Sequence, residues 1–381
     1  MYPARGTAEP DGILPAGMSS FTRIDVQAGG GPYPVVTGHG VSASLSDWLD
    51  AAHLTGPVTV VSSPTVWSAQ GRRIARALKG RMAQPILVPD GERSKTMQTV
   101  GRIHNALVES HADRSSIIVA VGGGVLGDMA GFAAATYLRG VRVAHVPTTL
   151  MAQVDSAVGG KTGVNHPLGK NLIGAFHAPR LVVADPLLLD TLPRRQFRAG
   201  LYEVIKYGAI ATPSLLERVA HGAGSAFADS PDLLDAVVAE SCRIKAAIVS
   251  GDERESGPRR VLNFGHTLGH ALESATGYRR LLHGEAVGYG MLAAVALGER
   301  RGVTPPSTAS AVRAAIEHLG PLPSIRELSA RDVARGASHD KKVIAGRLHF
   351  VAATSLGHTV ELTDVTTREL VAALRSLGLQ S

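Results

Sequence analysis

Two histidines four residues apart, in the stretch Asn263-Phe264-Gly265-His266-Thr267-Leu268-Gly269-His270, are the first sign of chemistry in the sequence. On a helix that spacing turns both imidazoles to one face, as a divalent metal would require of a ligand pair. His283 follows just ahead of Gly284-Glu285 and a new helix, and Glu203 and Lys206 share a face three residues apart on an earlier one. Three imidazoles and a carboxylate suit Zn2+ or a similar borderline ion, and an open coordination position would polarise a substrate hydroxyl or carbonyl. The chain holds 15 His, so chance pairs are common, and spacing leaves open which of the three ligate.

A second signal is rich in glycine. Ile117–Val121 runs into Gly122-Gly123-Gly124-Val125-Leu126-Gly127-Asp128 and then into a helix reaching about Leu138. Gly122, Gly124 and Gly127 meet the spacing of a dinucleotide fingerprint, in which bare backbone lets a pyrophosphate approach the amides and positive dipole of a helix start. The motif follows a late strand, and no acidic residue sits about 20 positions onward to hold a ribose. Pro89-Asp90-Gly91-Glu92 with Lys95 and Thr96, and Thr148-Thr149 after Pro147, occupy similar strand ends. Such ends line the ligand crevice of an open α/β sheet. The ligand-free alternative is a tight strand-to-helix turn.

The elements that must carry these residues change character along the chain. Pro34–Thr37, Val58–Ser62, Pro85–Val88, Ile117–Val121, Val143–Val146 and Leu181–Ala184 are short and rich in Val and Ile, as strands are. Trp67–Leu78 and Thr96–Ser110 between them are long and periodic enough for helices. After Asp185 helices dominate: Gln196–Ile210, Pro231–Ser250, His266–Thr276, Glu285–Arg301 and Thr308–Leu319. Leu348–Ala352 and Thr359–Leu362 suit a late hairpin, and Thr366–Leu377 a closing helix with Thr366 and Glu369 spaced as a capping box. The fold class expected is α/β, an N-terminal Rossmann-like nucleotide-binding domain followed by a mostly α-helical metal- and substrate-binding domain. Residues 1–25 read as a flexible tail, 26–185 as the α/β domain and 186–381 as the helical one.

Composition narrows the function. The 381 residues carry 39 Lys+Arg against 32 Asp+Glu, a net +7 with the bases scattered. No run of bases is interleaved with aromatics, so an anionic small substrate fits better than nucleic acid. No apolar stretch is long enough for a membrane span, and the N-terminus lacks a signal pattern, so a cytoplasmic protein without membrane contact is expected. Cys242 is the sole cysteine, which excludes an internal disulfide, and it should lie on the buried face of a helix.

Longer motifs join these signals. Besides the glycine run they include Tyr137-Leu138-Arg139-Gly140, Val146-Pro147-Thr148-Thr149-Leu150, Val154-Asp155-Ser156 and Gly159-Gly160-Lys161-Thr162. Asn165-His166-Pro167-Leu168-Gly169-Lys170-Asn171, Glu203-Val204-Ile205-Lys206-Tyr207-Gly208 and Leu282-His283-Gly284-Glu285 follow. In these the chain closely resembles the 3-dehydroquinate synthases, a family of sugar phosphate cyclases, and more weakly from about Tyr33 to Leu377. The resemblance implies NAD and a divalent metal, Zn or Co, as cofactors, and a small anionic sugar phosphate as substrate. It implies Glu203, His266 and His283 as metal ligands. His270, Lys206, Lys245, Asn263, Arg259 and Asp155 resemble the catalytic set, with His270 a proton-handling neighbour of the metal. Arg139, Lys161, Asn171 and one of Lys341-Lys342, taken as Lys342, would hold the phosphate. Glu92, Lys95, Gly123, Gly124, Val125, Asp128, Thr148, Thr149, Asp155, Lys161 and Lys170 match the cofactor contacts. A homodimer is the family expectation.

One position departs from the pattern. Family members often carry Asp or Asn after the second strand, where adenosine is held, and this chain reads Val61-Ser62-Ser63-Pro64-Thr65. A serine still hydrogen-bonds a ribose, with less accepting capacity than a carboxylate. Among sister cyclases, the inosose and valiolone types usually differ at the position of Asn263, and the valiolone type also replaces His270. Both are kept here, which favours dehydroquinate formation, while these residues do not separate off a sister acting on the amino analogue. A glycerol-dehydrogenase-like enzyme would release NADH and has no need of the phosphate-holding set.

Overall fold

The computed structural model describes residues 21–222, 227, 230–337, 343–344 and 347–381. Up to Ala184 the described residues form nine strands: β1 (Thr22–Val26), β2 (Tyr33–Thr37), β3 (Val58–Ser62), β4 (Ile86–Leu87), β5 (Ile117–Gly122), β6 (Arg142–Pro147), β7 (Lys161–His166), β8 (Gly169–Phe176) and β9 (Leu181–Ala184). Seven of them make one sheet in the order β1-β2-β9-β6-β5-β3-β4. It is parallel except for the β1–β2 pair. Every residue of β5 and β9 is buried, which explains their unbroken apolar runs: helices cover both faces. β4 lies beyond β3 while β5 lies on its other side, so the direction of winding reverses between β3 and β5. In such a sheet the ligand crevice opens outside the carboxyl ends at that reversal.

The expected strands appear, two with unchanged bounds (Val58–Ser62 and Leu181–Ala184). The tail is corrected at its end: residues 22–25 belong to β1, which pairs Thr22 with Thr37, and residues 1–20 lie outside the described residues. The β7–β8 hairpin was not expected. Its sequence is rich in Gly, Asn and Lys and lacks a Val/Ile run, so β-propensity is silent there. The pairing needs the glycines, because a Cβ on Gly163 or Gly174 would collide with the backbone of the opposite strand. The hairpin packs along the helix Gly124–Thr136, with Thr162 against Gly131.

One face of the sheet packs Leu45, Leu49, Ile74 and Leu78 against Val60 and Val119. The other packs Val100, Ile103, Met129 and Ala133 against Ile118 and Val143. A third apolar cluster fills the helical half and reaches back onto Val35, Val182 and Ala184 of the sheet. That half holds Arg194–Ile210, Ser214–Gly222, Pro231–Gly251, His266–Ala275, His283–Arg300, Pro306–His318 and Ala330–Ala337. A hairpin, Phe350–Ser355 with His358–Leu362, precedes the last helix, Thr367–Ser376. The capping box there is formed from both sides: Glu369 N–H donates to Thr366 Oγ1 at 3.3 Å and Thr366 N–H to Glu369 Oε2 at 2.8 Å. Cys242 is fully buried in Pro231–Gly251, and burial pushes its thiol up to about 12. Among the described residues no helix is long and apolar enough to cross a membrane.

Candidate active site

Glycine brings three helices to backbone contact. A Cβ on Gly284 would collide with the Ala199 carbonyl oxygen, and one on Gly290 with that of Gly265. His283–Arg300 thus lies directly against Arg194–Ile210 on one side and against His266–Ala275 on the other. The consequence is a convergence of side chains. His266, His270 and His283 each offer a ring nitrogen, all within 4.8 Å of one another. Glu203 Oε1 lies 3.5 Å from His266 Nε2 and 3.6 Å from His283 Nε2.

Glu203 is fully buried, and its Oε1 accepts no hydrogen bond, while Lys206 pairs with Oε2. A buried carboxylate oxygen without a donor, facing imidazole nitrogens, is costly unless a cation completes it. The donor set therefore fits a divalent metal of the zinc type. His270 stands within the same reach, so proximity does not distinguish it from the other two. His283 is oriented from behind: its Nδ1 lies 3.0 Å from Glu273 Oε2. Burial would lower the His283 imidazole, and the neighbouring Glu273 and Glu203 hold it above its usual range.

Next to this cluster, the π-helical turn Ala152–Ser156 presents Asp155. Its Oδ1 accepts from Tyr207 Oη at 2.6 Å and from Lys245 Nζ at 2.8 Å, with Lys206 Nζ at 3.6 Å. Burial alone would raise Asp155, yet the Lys245 and Lys206 ammoniums hold it well below the carboxylate range. Burial would lower Lys206, but Glu203 and Asp155 keep it above its usual range. Lys245 goes the other way: burial pulls it down, Asp155 opposes, and Lys206 and Arg259 add to the fall. Two lysines side by side thus differ in proton affinity, as groups that hold and pass a proton must. Arg259, buried, donates to the carbonyls of Glu253 and Gly159. Asn263 donates to Glu255 at 2.7 Å, and Lys161 pairs with the same carboxylate.

The glycine loop lies at the carboxyl end of β5, at the winding reversal. Gly123 precedes the helix Gly124–Thr136, which carries Val125 and Asp128 in its first turns. A Cβ on Gly124 would come within 2.6 Å of Ser156 Oγ, and one on Gly123 within 3.0 Å of the Thr149 methyl, so the loop is flush against Thr148-Thr149. Thr148 N–H donates to Gly122 O at 3.0 Å. Lys95 is buried between Asp128 and Asn171, and Glu92 accepts from Asn165 Nδ2 at 2.8 Å. Ser63, at the departure from the family pattern, caps the helix Pro64–Ala77 and donates to Asp90 at 3.2 Å. The amides at the helix start, without side chains over them, fit a nucleotide pyrophosphate.

Two matches cover most of the chain. Residues 85–199 match the family described as 3-dehydroquinate synthase N-terminal, and residues 200–343 that described as 3-dehydroquinate synthase C-terminal. The chain belongs to the 3-dehydroquinate synthase family. A 3-dehydroquinate synthase of Solibacter usitatus (strain Ellin6076) is 42% identical over 344 residues, 90% of this chain and 96% of that protein. Among solved structures, 2-epi-5-epi-valiolone synthase from Streptomyces hygroscopicus subsp. jinggangensis 5008, with NAD+ and Zn2+ bound, is 29% identical. It superposes with a TM-score of 0.83 over 91% of this chain and 96% of its own. A 2-deoxy-scyllo-inosose synthase complexed with carbaglucose-6-phosphate, NAD+ and Co2+ is 26% identical, with a TM-score of 0.84 over 93% and 99% of the two chains.

For a member of the 3-dehydroquinate synthase family, the structure brings most sequence-expected residues into two adjoining groups. Glu203, Lys206, His266, His270, His283, Asp155 and Lys245 form one. Gly123, Gly124, Val125, Asp128, Thr148, Thr149, Glu92, Lys95 and Asn171 gather at the strand ends. Lys170 joins the two, paired with Glu273 at 2.8 Å and Glu92 at 3.4 Å. Arg139 is not brought to the glycine loop: it is exposed in the Tyr137–Arg139 turn, at the far end of a 13-residue helix about 20 Å long by its rise. Lys342 lies outside the described residues. Sequence reasoning gave no role to Tyr207, Glu255 or Glu273. For Glu273 a signal existed, since it follows His270 by three residues and so shares its helix face.

Proposed function

We propose that this chain converts 3-deoxy-arabino-heptulosonate 7-phosphate to 3-dehydroquinate and phosphate, the 3-dehydroquinate synthase reaction of the shikimate pathway. The observation that supports it most is the unbroken run of ionisable groups from Lys245 through Asp155 and Lys206 to Glu203 and the histidines, in a chain of this family. When bound, NAD takes and returns one hydride within a turnover, and a divalent metal, Zn or Co, acidifies the hydroxyls it touches. Glu203, His266 and His283 would hold the metal. The burial of Glu203 and His266 and the donor-free Glu203 oxygen support that assignment. Glu92, Lys95, Gly123, Gly124, Val125, Asp128, Thr148, Thr149, Asp155, Lys161 and Lys170 would hold NAD in the crevice.

The chain's own groups then handle protons and charge. Lys245, Lys206 and Asp155 share one hydrogen-bonded centre, which orients a hydroxyl and receives its proton. His270, within the imidazole cluster, is a second proton-holding group beside it. Arg259 and Asn263 suit the substrate carboxylate, Arg by its planar fork. Lys161, Asn171 and Lys342 are assigned to the phosphate. Retention of Asn263 with His270 supports the dehydroquinate type over the valiolone and inosose types. We further infer a homodimer working in the cytoplasm, on the family's pattern.

Phosphate release from the purified enzyme, with this substrate, catalytic NAD+ and Zn2+, tests the reading while absorbance follows NADH. Many phosphates per NAD+ with no NADH build-up is the expected result. Release from sedoheptulose 7-phosphate instead would move the chain to a sister type. NADH accumulating on a simple polyol would make it a dehydrogenase.

A further inference from the structure

We propose that Glu273 and Lys170 couple the metal centre to the nucleotide crevice, so that divalent metal and NAD bind this chain with positive cooperativity. The inference rests on the reading above, that His283 is a metal ligand and that the crevice takes NAD. Glu273 is 3% exposed and lies on the same helix as His266 and His270. Its Oε2 accepts from His283 Nδ1 at 3.0 Å, which leaves the His283 Nε2 lone pair facing Glu203 and its neighbours. A carboxylate behind a ligating imidazole fixes tautomer and ring orientation and raises ligand basicity. Its Oε1 accepts from Lys170 Nζ at 2.8 Å. Lys170 belongs to β8 of the sheet half, stands 4.8 Å over the Tyr278 ring, and lies 3.4 Å from Glu92 on the loop after β4.

Four side chains, His283, Glu273, Lys170 and Glu92, therefore run from the metal centre to the crevice. One ammonium is divided between two carboxylates, one for each site. The diphosphate of a nucleotide in the crevice competes for that ammonium. As Lys170 turns to it, Glu273 keeps its hydrogen bond to His283 and loses its compensating cation. The charge left behind His283 is best neutralised by a divalent ion at Nε2. Conversely, a bound divalent ion takes over from Lys170 as the cation that Glu273 serves, and frees Lys170 for the nucleotide. Linkage makes the two effects equal in size.

The experiment measures Zn2+ affinity of the full-length metal-free chain by competition with a chelating dye, without and with saturating NAD+, and NAD+ affinity calorimetrically without and with Zn2+. The wild type should bind each about tenfold more tightly in the presence of the other. K170M should reduce the factor to about one while still binding Zn2+ alone, and K170R should restore it. E273Q should weaken Zn2+ alone by about ten- to a hundredfold and also lose the coupling. With Co2+ as probe, added NAD+ should shift the visible absorption of the wild type and not that of K170M. A wild-type factor of one, or the same factor in K170M as in wild type, overturns the proposal while leaving the functional reading intact. Failure of the wild type to bind either Zn2+ or NAD+ overturns both. Should E273Q not fold, K170M on the partly exposed hairpin decides the matter alone.

Discussion

The nucleotide crevice and the histidine cluster are built in opposite ways. The crevice is mostly backbone: a glycine loop, a helix start and two strand ends, with side chains kept out of the way. The cluster is side chain throughout, drawn from helices that begin at Arg194, Pro231, His266 and His283 and a turn at Ala152. A backbone site needs only a short contiguous stretch with the right conformational freedom. A side-chain site needs the whole helical half to be packed first. The crevice should therefore fail through steric intrusion, and the cluster through the loss of one donor.

Substitution at the cluster should have the largest effect. H266A removes a nitrogen from the cation site and should lower turnover roughly a thousandfold, with metal content falling in parallel by elemental analysis. Full activity with normal metal would remove His266 from the ligand set. A pH effect of intermediate size sits under the crevice. His145 in β6 is buried beside Gly127, and burial lowers it from 6.5 to about 4. As pH falls the unfolded chain takes up this proton first, so the contribution is whole above about pH 6.5 and is lost between 6.5 and 4. Relative to H145N, the wild type should lose about 2 kcal/mol more between pH 7 and pH 5 in denaturant titrations. Parallel slopes for the two proteins would show that His145 titrates normally. The smallest effect is at the loop itself. G124A puts a methyl against Ser156 and should weaken NAD+ about tenfold by calorimetry, with metal content unchanged. Metal loss in that variant would erase the contrast between the two regions.

The same contrast explains what could be read from the sequence. Gly122–Asp128 was legible because spacing alone carries its physics. So were the strands of the sheet, whose Val and Ile runs reflect burial on both faces. The i, i+4 pair His266 and His270 was visible, but spacing could not join it to Glu203, 63 residues before His266. The family resemblance supplied that join, the role of Lys206, and also Asp155 and Lys245. Tyr207 and Glu273 had no role assigned, because each acts on another side chain rather than through a motif of its own. The β7–β8 hairpin was missed since glycine-permitted close pairing leaves no hydrophobic trace. β1, at the sheet edge, alternates but is only five residues long with Val26 alone buried, too little apolar signal to stand out.

The glycine contacts among the three helices also determine where this molecule is able to flex. Backbone resting on backbone, as at Gly284 and Gly290, has no side-chain rotamers to absorb displacement, so Arg194–Ile210, His266–Ala275 and His283–Arg300 move as one block. The seam between that block and the hairpin is of another kind. It is crossed by Lys170 to Glu273, a largely buried pair, and by Lys161 to the Glu255 loop, a more exposed pair that water and salt replace at smaller cost. Opening and closing motions would part the molecule along that seam, and ionic strength would act on it through the more exposed Lys161 pair.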